Sequence, residues 1–273
     1  MSSTGTSVNL SLPPFTRAIK ILIALNAGIF FLLMLVGALG FGTQAERCTR
    51  TFLLVSSDVV HGHIYQLVTY GFFHAGLMHL LFNMLSLWMF GSMLESAWGS
   101  RKFWEFYLFG VAGAGITTVA IAYTFGSVVH LSPDTPTLGA SGGIYAIFMA
   151  CAMLFGDREV LVLLLFSIKL KYLVAAMAFI ALVSALGDAS GTANVAHLGG
   201  LLFGYIFVRF VPRRGLTLSI SESYFAIRNS YHRWKRKRAA SKFQVYMRKH
   251  EEDPKRFFPE DPDKDKKDGP WVN

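Results

Sequence analysis

The pentapeptide Gly139-Ala140-Ser141-Gly142-Gly143 places a hydroxyl among glycines at the point where an apolar segment begins. If that segment is a helix, the N–H groups of its first turn have no intrahelical partner, and the positive end of the helix dipole lies behind the serine. An anion forming beside the Ser141 oxygen would be stabilised in this position. Ser141 is therefore the candidate nucleophile.

Three further polar side chains stand near the beginnings of other apolar segments. His79 and Asn83 are four residues apart, so a helix presents both on one face, where either can donate a hydrogen bond to an oxyanion. His197 is the candidate general base. Polar groups inside a membrane are costly and tend to mark function.

The sequence also predicts which residues surround the candidate base, His197. Tyr145 lies one helical turn after the serine, where its ring would support an imidazole. Gly200 and Gly204 form a small-residue stripe that lets another helix approach closely, and a partner helix carrying the serine would bring His197 within its reach. Asp188 lies before the sixth span, but no acidic residue adjoins His79, Ser141 or His197 in the sequence, so we expect a Ser/His dyad whose histidine is held by packing.

These residues must be positioned by membrane-spanning helices. The chain has 273 residues, of which 53% are hydrophobic and only 16% are charged, too apolar a composition for a soluble domain. We predict an all-α polytopic membrane protein with a bundle of six transmembrane helices, because about 20 apolar residues in helical form are needed for each span. The predicted spans are residues 19–39, 79–97, 103–125, 141–155, 172–186 and 195–211.

Lysine and arginine predict the orientation of the bundle. They cluster before span 1, between spans 2 and 3, between spans 4 and 5 and after span 6, whereas only Arg47 and Arg50 lie on the other side. By the positive-inside rule, both termini are cytoplasmic. Spans 2, 4 and 6 then all begin at the external side, which brings His79, Ser141 and His197 to a similar depth. We expect an integral protein of a bacterial inner membrane whose active site opens to the external side.

The fourth span is short, which places the serine below the surface. Its fifteen residues cover roughly 22 Å of a hydrocarbon core of about 30 Å. The approach segment 132–138 must then dip into the protein, and irregular backbone at that depth is tolerated only beside a polar cavity. A water-filled pocket around Ser141 follows, and hydrolysis needs water.

The sequence predicts three parts of the chain. Residues 1–18 are predicted to be a cytoplasmic arm, 19–211 the transmembrane domain and 212–273 a basic cytoplasmic tail that is disordered from Pro254 onward. The long connection from Gly40 to Met78 is expected to fold partly onto the membrane surface, and the short apolar run 160–168 to be a membrane-edge segment. The stretch 233–238 predicts binding to anionic headgroups and not to nucleic acid. The oligomeric state is left open.

Three motifs together resemble the rhomboid intramembrane serine proteases. They are His74-Ala-Gly-Leu-Met-His79-Leu-Leu-Phe-Asn83, the Gly139-Ala-Ser141-Gly142 turn and Ala196-His197-x-x-Gly200-x-x-x-Gly204, each at the expected end of its helix, within a resemblance that covers residues 19–211. The resemblance implies that Ser141 is the nucleophile, His197 the base, and His79, Asn83 and the Ser141 N–H the oxyanion site, with Tyr145 packed on the histidine. Glu95 and Gly99 match the family's polar end of the second helix.

One departure from the family pattern lies in the first loop, where Tyr65-Gln66 replaces the usual Trp-Arg. It leaves open how that loop is anchored. The resemblance implies substrates that are themselves transmembrane proteins, and no cofactor.

Other functions fit the sequence less well. A soluble hydrolase elbow needs a buried strand before its serine, and 132–138 contains two prolines instead. The His-Glu-x-x-His signature of a metalloprotease is absent, a second intramembrane aspartate is missing, and no internal repeat indicates a transporter. A catalytically inactive rhomboid-like binding module or chaperone remains the alternative, although its usual sign would be loss of Ser141 or His197.

Overall fold

A computed structural model of the chain describes residues 13–162, 166–187, 191–211 and 216–252. Its two compact units are Met1–Leu216 and Thr217–Asn273. The α-helices are α1 (Arg17–Val36), α2 (Gly42–Phe52), α3 (Ser56–Val60), α4 (Gln66–Thr69), α5 (Leu77–Ser86), α6 (Ser92–Trp98), α7 (Ser100–Thr124), α8 (Ser141–Phe155), α9 (Leu170–Leu186), α10 (Gly191–Phe210) and α11 (Leu216–Glu252). Short π-helical segments at Gly37–Phe41 and Leu87–Gly91 join α1 to α2 and α5 to α6, and Tyr70–Phe72 is a 3-10 turn.

The helices of the first unit are those of an integral membrane protein. Within the described residues, four are long and apolar enough to cross a bilayer, namely Arg17–Phe52, Leu77–Trp98, Ser100–Thr124 and Ala193–Phe210. The two remaining predicted spans are occupied by shorter apolar helices, α8 and α9. Large apolar side chains such as Leu32, Phe82 and Phe179 are at least 60% exposed, as expected of a surface that faces lipid.

Helices α7, α8 and α10 pack closely because small residues line their contacts. At Gly204 of α10 an added Cβ would lie 2.6 Å from the Ala146 carbonyl oxygen of α8. Gly200 faces the Gly142 carbonyl in the same way. The two helices therefore touch backbone to backbone, the arrangement that small-residue stripes permit in membranes.

A buried carboxylate holds the beginning of α1. Glu95, which is 3% exposed, accepts hydrogen bonds from the N–H groups of Ala18 at 2.8 Å and Ile19 at 3.1 Å. The hydroxyls of Thr16 and Ser100 also donate to it. Since the first N–H groups of a helix lack intrahelical partners, Glu95 supplies the acceptors that α1 requires.

The long connection between α1 and α5 is folded into α2, α3, α4 and the 3-10 turn. Gln66 anchors it although the family's usual Trp-Arg is missing. Its buried side chain accepts from the Val55 N–H at 3.0 Å and donates to the Thr51 carbonyl and to Asp58 Oδ2, each at 3.2 Å. One amide side chain thus ties together three parts of the loop.

The prediction of a purely helical chain is wrong at one point. The apolar run expected to be a membrane-edge segment forms an antiparallel hairpin of β1 (Glu159–Val162) and β2 (Phe166–Lys169), in which Glu159 pairs with Lys169. The β-branched residues Val160 and Ile168 are opposite each other and favour the extended conformation. The run is too short to span as a helix, so pairing satisfies its backbone groups instead.

The described part of the second unit is almost entirely α11. All described side chains between Arg228 and Arg248 are exposed, including the basic stretch 233–238. The tail beyond Glu252, where disorder was predicted, and Asp188 lie outside the described residues.

Candidate active site

The candidate nucleophile is the first residue of α8. The N-cap position is Ala140, which offers no side-chain cap, and the first N–H bonded within the helix is that of Ile144, to the Ala140 carbonyl at 3.1 Å. The N–H groups of residues 141–143 are therefore left without intrahelical partners at the positive end of the helix dipole. Ser141 itself is half-buried.

The turn before α8 requires glycine. Gly139 has φ +123°, a conformation that L side chains rarely adopt. An added Cβ would also lie 2.9 Å from His79 Nε2. The Gly139 N–H donates to the Tyr70 carbonyl at 3.1 Å, so the turn is fixed both by its conformation and by the first connection.

His197 of α10 meets the serine. Its Nε2 lies 2.9 Å from Ser141 Oγ, although 56 residues separate them. The imidazole stacks on the Tyr145 ring with centroids 4.0 Å apart and planes within 4°. Among the described residues, Ser141 is the only hydrogen-bond partner of His197, so ring stacking takes the place that a carboxylate has in a triad.

His79 borders the same turn, and Asn83 lies one helical turn further along α5. The Asn83 Nδ2 group donates to the His79 carbonyl at 2.8 Å, which leaves the second of its two N–H bonds unused. Of the two side chains, His79 is the one placed against the Gly139 turn. Gly200 and Gly204, in contrast, serve the packing of α10 on α8 and do not border the hydroxyl.

The approach segment to α8 is held by backbone pairing with the first connection. Thr137 and Leu54 exchange N–H to carbonyl bonds of 2.8 and 3.0 Å, and the Ser57 N–H donates to the Pro133 carbonyl at 3.0 Å. This pairing satisfies backbone groups of the irregular approach segment within the unit.

Two further residues lie near the site: Tyr70, which the sequence did not identify, and His74, which opens the first of the three motifs but was given no role in the site. Tyr70, 1% exposed, accepts from Gly139 and donates its hydroxyl to the Val111 carbonyl at 2.9 Å. His74 stacks edge-on against His79 at 5.0 Å, and both of its ring nitrogens are buried without a partner among the described residues. No spacing rule distinguishes Tyr70 from the other aromatic residues of the loop, so only the tertiary contacts identify it.

Comparison with known proteins identifies the family of the chain. Residues 61–214, more than half of the chain, match the family model of the rhomboid domain. The mitochondrial Rhomboid protein 1 of Saccharomyces cerevisiae is 26% identical over 74% of this chain and 57% of its own length. The Rhomboid protease GluP of Bacillus subtilis is 30% identical over 71% and 34%, and the Putative rhomboid protease YdcA of the same organism is 32% identical over 54% and 67%.

The chain thus spans less than two thirds of the length of the first two of these relatives. The matched region contains His79, Ser141 and His197 together with the helices that carry them. On the agreement of the family model, the relatives and the helical membrane architecture, the chain belongs to the rhomboid family.

Proposed function

We propose that this chain is an intramembrane serine endopeptidase that works through a dyad of Ser141 and His197. The observation that carries the proposal is the 2.9 Å separation between Ser141 Oγ and His197 Nε2, with the imidazole stacked on Tyr145. A nucleophile and a base within about 2.6–3.2 Å, the base oriented by a third group, form the arrangement that covalent catalysis requires.

The proton and the electron pairs move as follows. Ser141 Oγ attacks the carbonyl carbon of the scissile peptide while its proton passes to His197 Nε2, and the carbonyl oxygen becomes an oxyanion. His197 then protonates the departing amine, so that an acyl-enzyme remains on Ser141. Water, deprotonated by His197, hydrolyses the ester in the second half of the reaction.

The oxyanion is assigned to the start of α8. The uncapped N–H groups there, with His79 and Asn83 on the α5 side, are donors of the kind that stabilise developing negative charge. They are fixed by the helix and by the Gly139 turn before substrate arrives. This preorganisation contributes to catalysis because no donor has to be reoriented during the reaction.

The proposed substrates are transmembrane segments that unwind near their external ends. An intact helix keeps its carbonyls in the i to i−4 ladder, so Ser141 can attack only where Gly, Ala, Ser or Pro makes unwinding inexpensive. Replacing those residues near the scissile bond by leucine should suppress cleavage. Equal cleavage of a uniformly leucine-rich span would refute this substrate class.

The proposed topology has six spans, both termini in the cytoplasm and the active site open to the external side. The helices α8 and α9, with 15 and 17 residues, cross as short spans in this arrangement. The charge distribution supports it by the positive-inside rule. A bacterial inner membrane stays a prediction, since the relatives include mitochondrial and chloroplastic proteins.

The basic stretch 233–238 of α11 is proposed to bind anionic headgroups. Its side chains are exposed, and Arg238 lies 5.3 Å from the Trp234 ring. Each lysine or arginine near such a surface contributes about 1 kcal/mol. Tail binding to anionic vesicles that is no stronger than to neutral ones would contradict this partner.

The dyad is tested with purified full-length protein and a fluorophosphonate probe, alongside cleavage of a reporter transmembrane substrate. Labelling and cleavage are expected in the wild type and lost in Ser141→Ala and His197→Ala, because the two residues act as one unit. The matched control is Ser184→Ala in α9, which should behave as wild type. Labelling that persists without Ser141 would refute the nucleophile, and a folded wild type that neither labels nor cleaves would favour the inactive binding module.

A further inference from the structure

A cavity of about 510 Å³ opens at the end of the transmembrane unit that is remote from Ser141. It is lined by Pro13 and Pro14 before α1, by residues of the π-helical segment Leu87–Gly91 and of α6, and by the last residue of α8 and residues after it. Since α8 begins at Ser141 and ends at Phe155, the cavity lies about 20 Å from the serine at 1.5 Å per residue. It is therefore separate from the candidate active site.

The side of the cavity formed by Pro13 and Pro14 is held by contacts with Trp88. Trp88 Nε1 donates a hydrogen bond to the Pro13 carbonyl at 3.1 Å. Phe15 stacks on the Trp88 ring at 4.6 Å with the planes within 8°. Both contacts attach the segment before α1 to the π-segment, so the cavity is a formed feature of the folded chain.

Polar groups interrupt a mostly apolar lining. Ser92 belongs to the lining but is 0% exposed, so its hydroxyl lies behind the cavity surface. Ser96 lines the cavity one turn later on the same helix and is exposed. Arg158 is also an exposed lining residue, with its guanidinium carbon 4.9 Å from the Phe155 ring, and it forms no ion pair with any described residue.

This combination suits an anion that carries an alkyl chain. A guanidinium binds phosphate through two parallel N–H bonds, and the exposed Ser96 hydroxyl can donate a further one. The apolar lining includes Phe90, Met93 and Phe155, which offer contacts to hydrocarbon. The volume falls within the roughly 300–1,000 Å³ that is usual for ligand pockets.

Lysine and arginine residues stand at the beginnings of α1, α7 and α9, at Arg17, Lys20, Arg101, Lys102, Lys169 and Lys171. Arg101 pairs with Glu105, and Lys169 and Lys171 both pair with Asp157. Positive charges outnumber the negative ones among these groups. Membrane leaflets rich in anionic lipid are attracted to such clusters. A phospholipid is the anionic amphiphile that the bilayer itself supplies at this depth.

We propose that this cavity binds one anionic phospholipid, with a headgroup phosphate on Arg158 and the Ser96 hydroxyl, and the first carbons of an acyl chain against Phe90 and Phe155. The bound lipid connects the segment before α1 to the ends of α6 and α8. Because it binds the folded state, it raises the unfolding temperature of the protein. The site is independent of the dyad and stands whether or not the chain is a protease.

The test uses delipidated full-length protein in neutral detergent and measures bound lipid per chain by native mass spectrometry. Phosphatidylglycerol is compared with phosphatidylcholine of the same chains and with glycerol 3-phosphate, which has the phosphate without the acyl chains. Arg158→Gln removes the cation, and Ala97→Trp fills the cavity without changing charge. Lys20→Gln is the matched control, since it removes an exposed positive charge at the same end but outside the cavity.

We expect one tightly bound phosphatidylglycerol per chain, weakened by about tenfold or more in Arg158→Gln and in Ala97→Trp, since a lost charge-assisted hydrogen bond or a blocked cavity has at least this effect. Lys20→Gln should bind within about twofold of wild type, because Lys20 does not line the cavity. Wild-type binding by both cavity variants, or equal weakening by Lys20→Gln, would overturn the site. Equal binding of glycerol 3-phosphate or phosphatidylcholine would overturn the assignment to an anionic lipid.

Discussion

A single methyl group added at Gly204 should separate the two helices that carry the dyad. The Cβ added at position 204 would lie 2.6 Å from the carbonyl oxygen of Ala146 and 2.8 Å from the Cα of Ala146. The oxygen contact is 0.8 Å short of 3.4 Å, where ordinary van der Waals contact begins. Backbone on α8 cannot rotate away as a flexible side chain can, so the helices must move apart by a distance of this order.

The consequence for the dyad follows from its geometry. A shift of that size, transmitted to the starts of α8 and α10, lengthens the 2.9 Å pair of Ser141 and His197 beyond the reach of about 3.2 Å that proton transfer needs. A misplacement of about 1 Å can cost on the order of 10²-fold in rate. Overpacking of this kind also destabilises by about 1–3 kcal/mol. We therefore expect Gly204→Ala to lower cleavage by about 10- to 100-fold and to lower the unfolding temperature.

The assay is cleavage of a reporter transmembrane substrate in vesicles, with thermal unfolding of the same preparations measured in parallel. Gly28→Ala is the matched control, because it makes the same substitution in a membrane helix where nothing lies within 4 Å of the added Cβ. It should retain wild-type cleavage and stability. If Gly204→Ala behaves like Gly28→Ala in both measurements, the close contact between α8 and α10 does not set the geometry of the dyad.

Asn83→Ala and His79→Ala should each reduce the cleavage rate by about 10- to 1,000-fold at unchanged stability, since removing one oxyanion donor leaves others in place; unchanged rates in both would exclude this face of α5 from the site. Tyr145→Phe should retain cleavage, whereas Tyr145→Ala should lose about 10- to 100-fold because the imidazole loses its stacked support; equal rates for the two variants would show that the ring does not position the base. Glu95→Gln should destabilise the chain by about 1–3 kcal/mol, because the substitution replaces one carboxylate oxygen, which accepts hydrogen bonds, by an NH2 group that faces other donors. Thermal unfolding measures the effect, with Glu46→Gln on α2 as a control that should unfold as the wild type does.

Much of the fold follows from local pattern. Each predicted apolar segment is helical, and the bounds of α8 agree with the prediction residue for residue. The first spanning helix, Arg17–Phe52, runs thirteen residues beyond the predicted end at residue 39, and the second predicted segment is divided into α5, a π-helical segment and α6. The length of an apolar segment and the glycines that end it are properties of that segment alone, so both can be identified from the sequence. The hairpin after α8 was missed because a short apolar run has no periodicity that separates helix from strand, and its strands are stabilised by pairing with each other.

The candidate site shows a similar division. Ser141, His79, Asn83 and His197 could be selected from the sequence because polar residues at the ends of apolar helices are few and costly. Their separations could not be predicted, because a distance such as the 2.9 Å between Ser141 and His197 depends on how closely two helices pack.

What the sequence by itself determined is therefore the membrane class, the helices and the polar residues at their starts, all of which depend on the composition of single segments. Only the tertiary structure decided that Gln66 anchors the first loop, that Tyr70 holds the Gly139 turn, and that Ser92 and Arg158 line one cavity. Each of these contacts joins segments distant in the chain. Such contacts form because buried hydrogen-bonding groups must find partners wherever packing places them, and no local pattern encodes which partner is nearest.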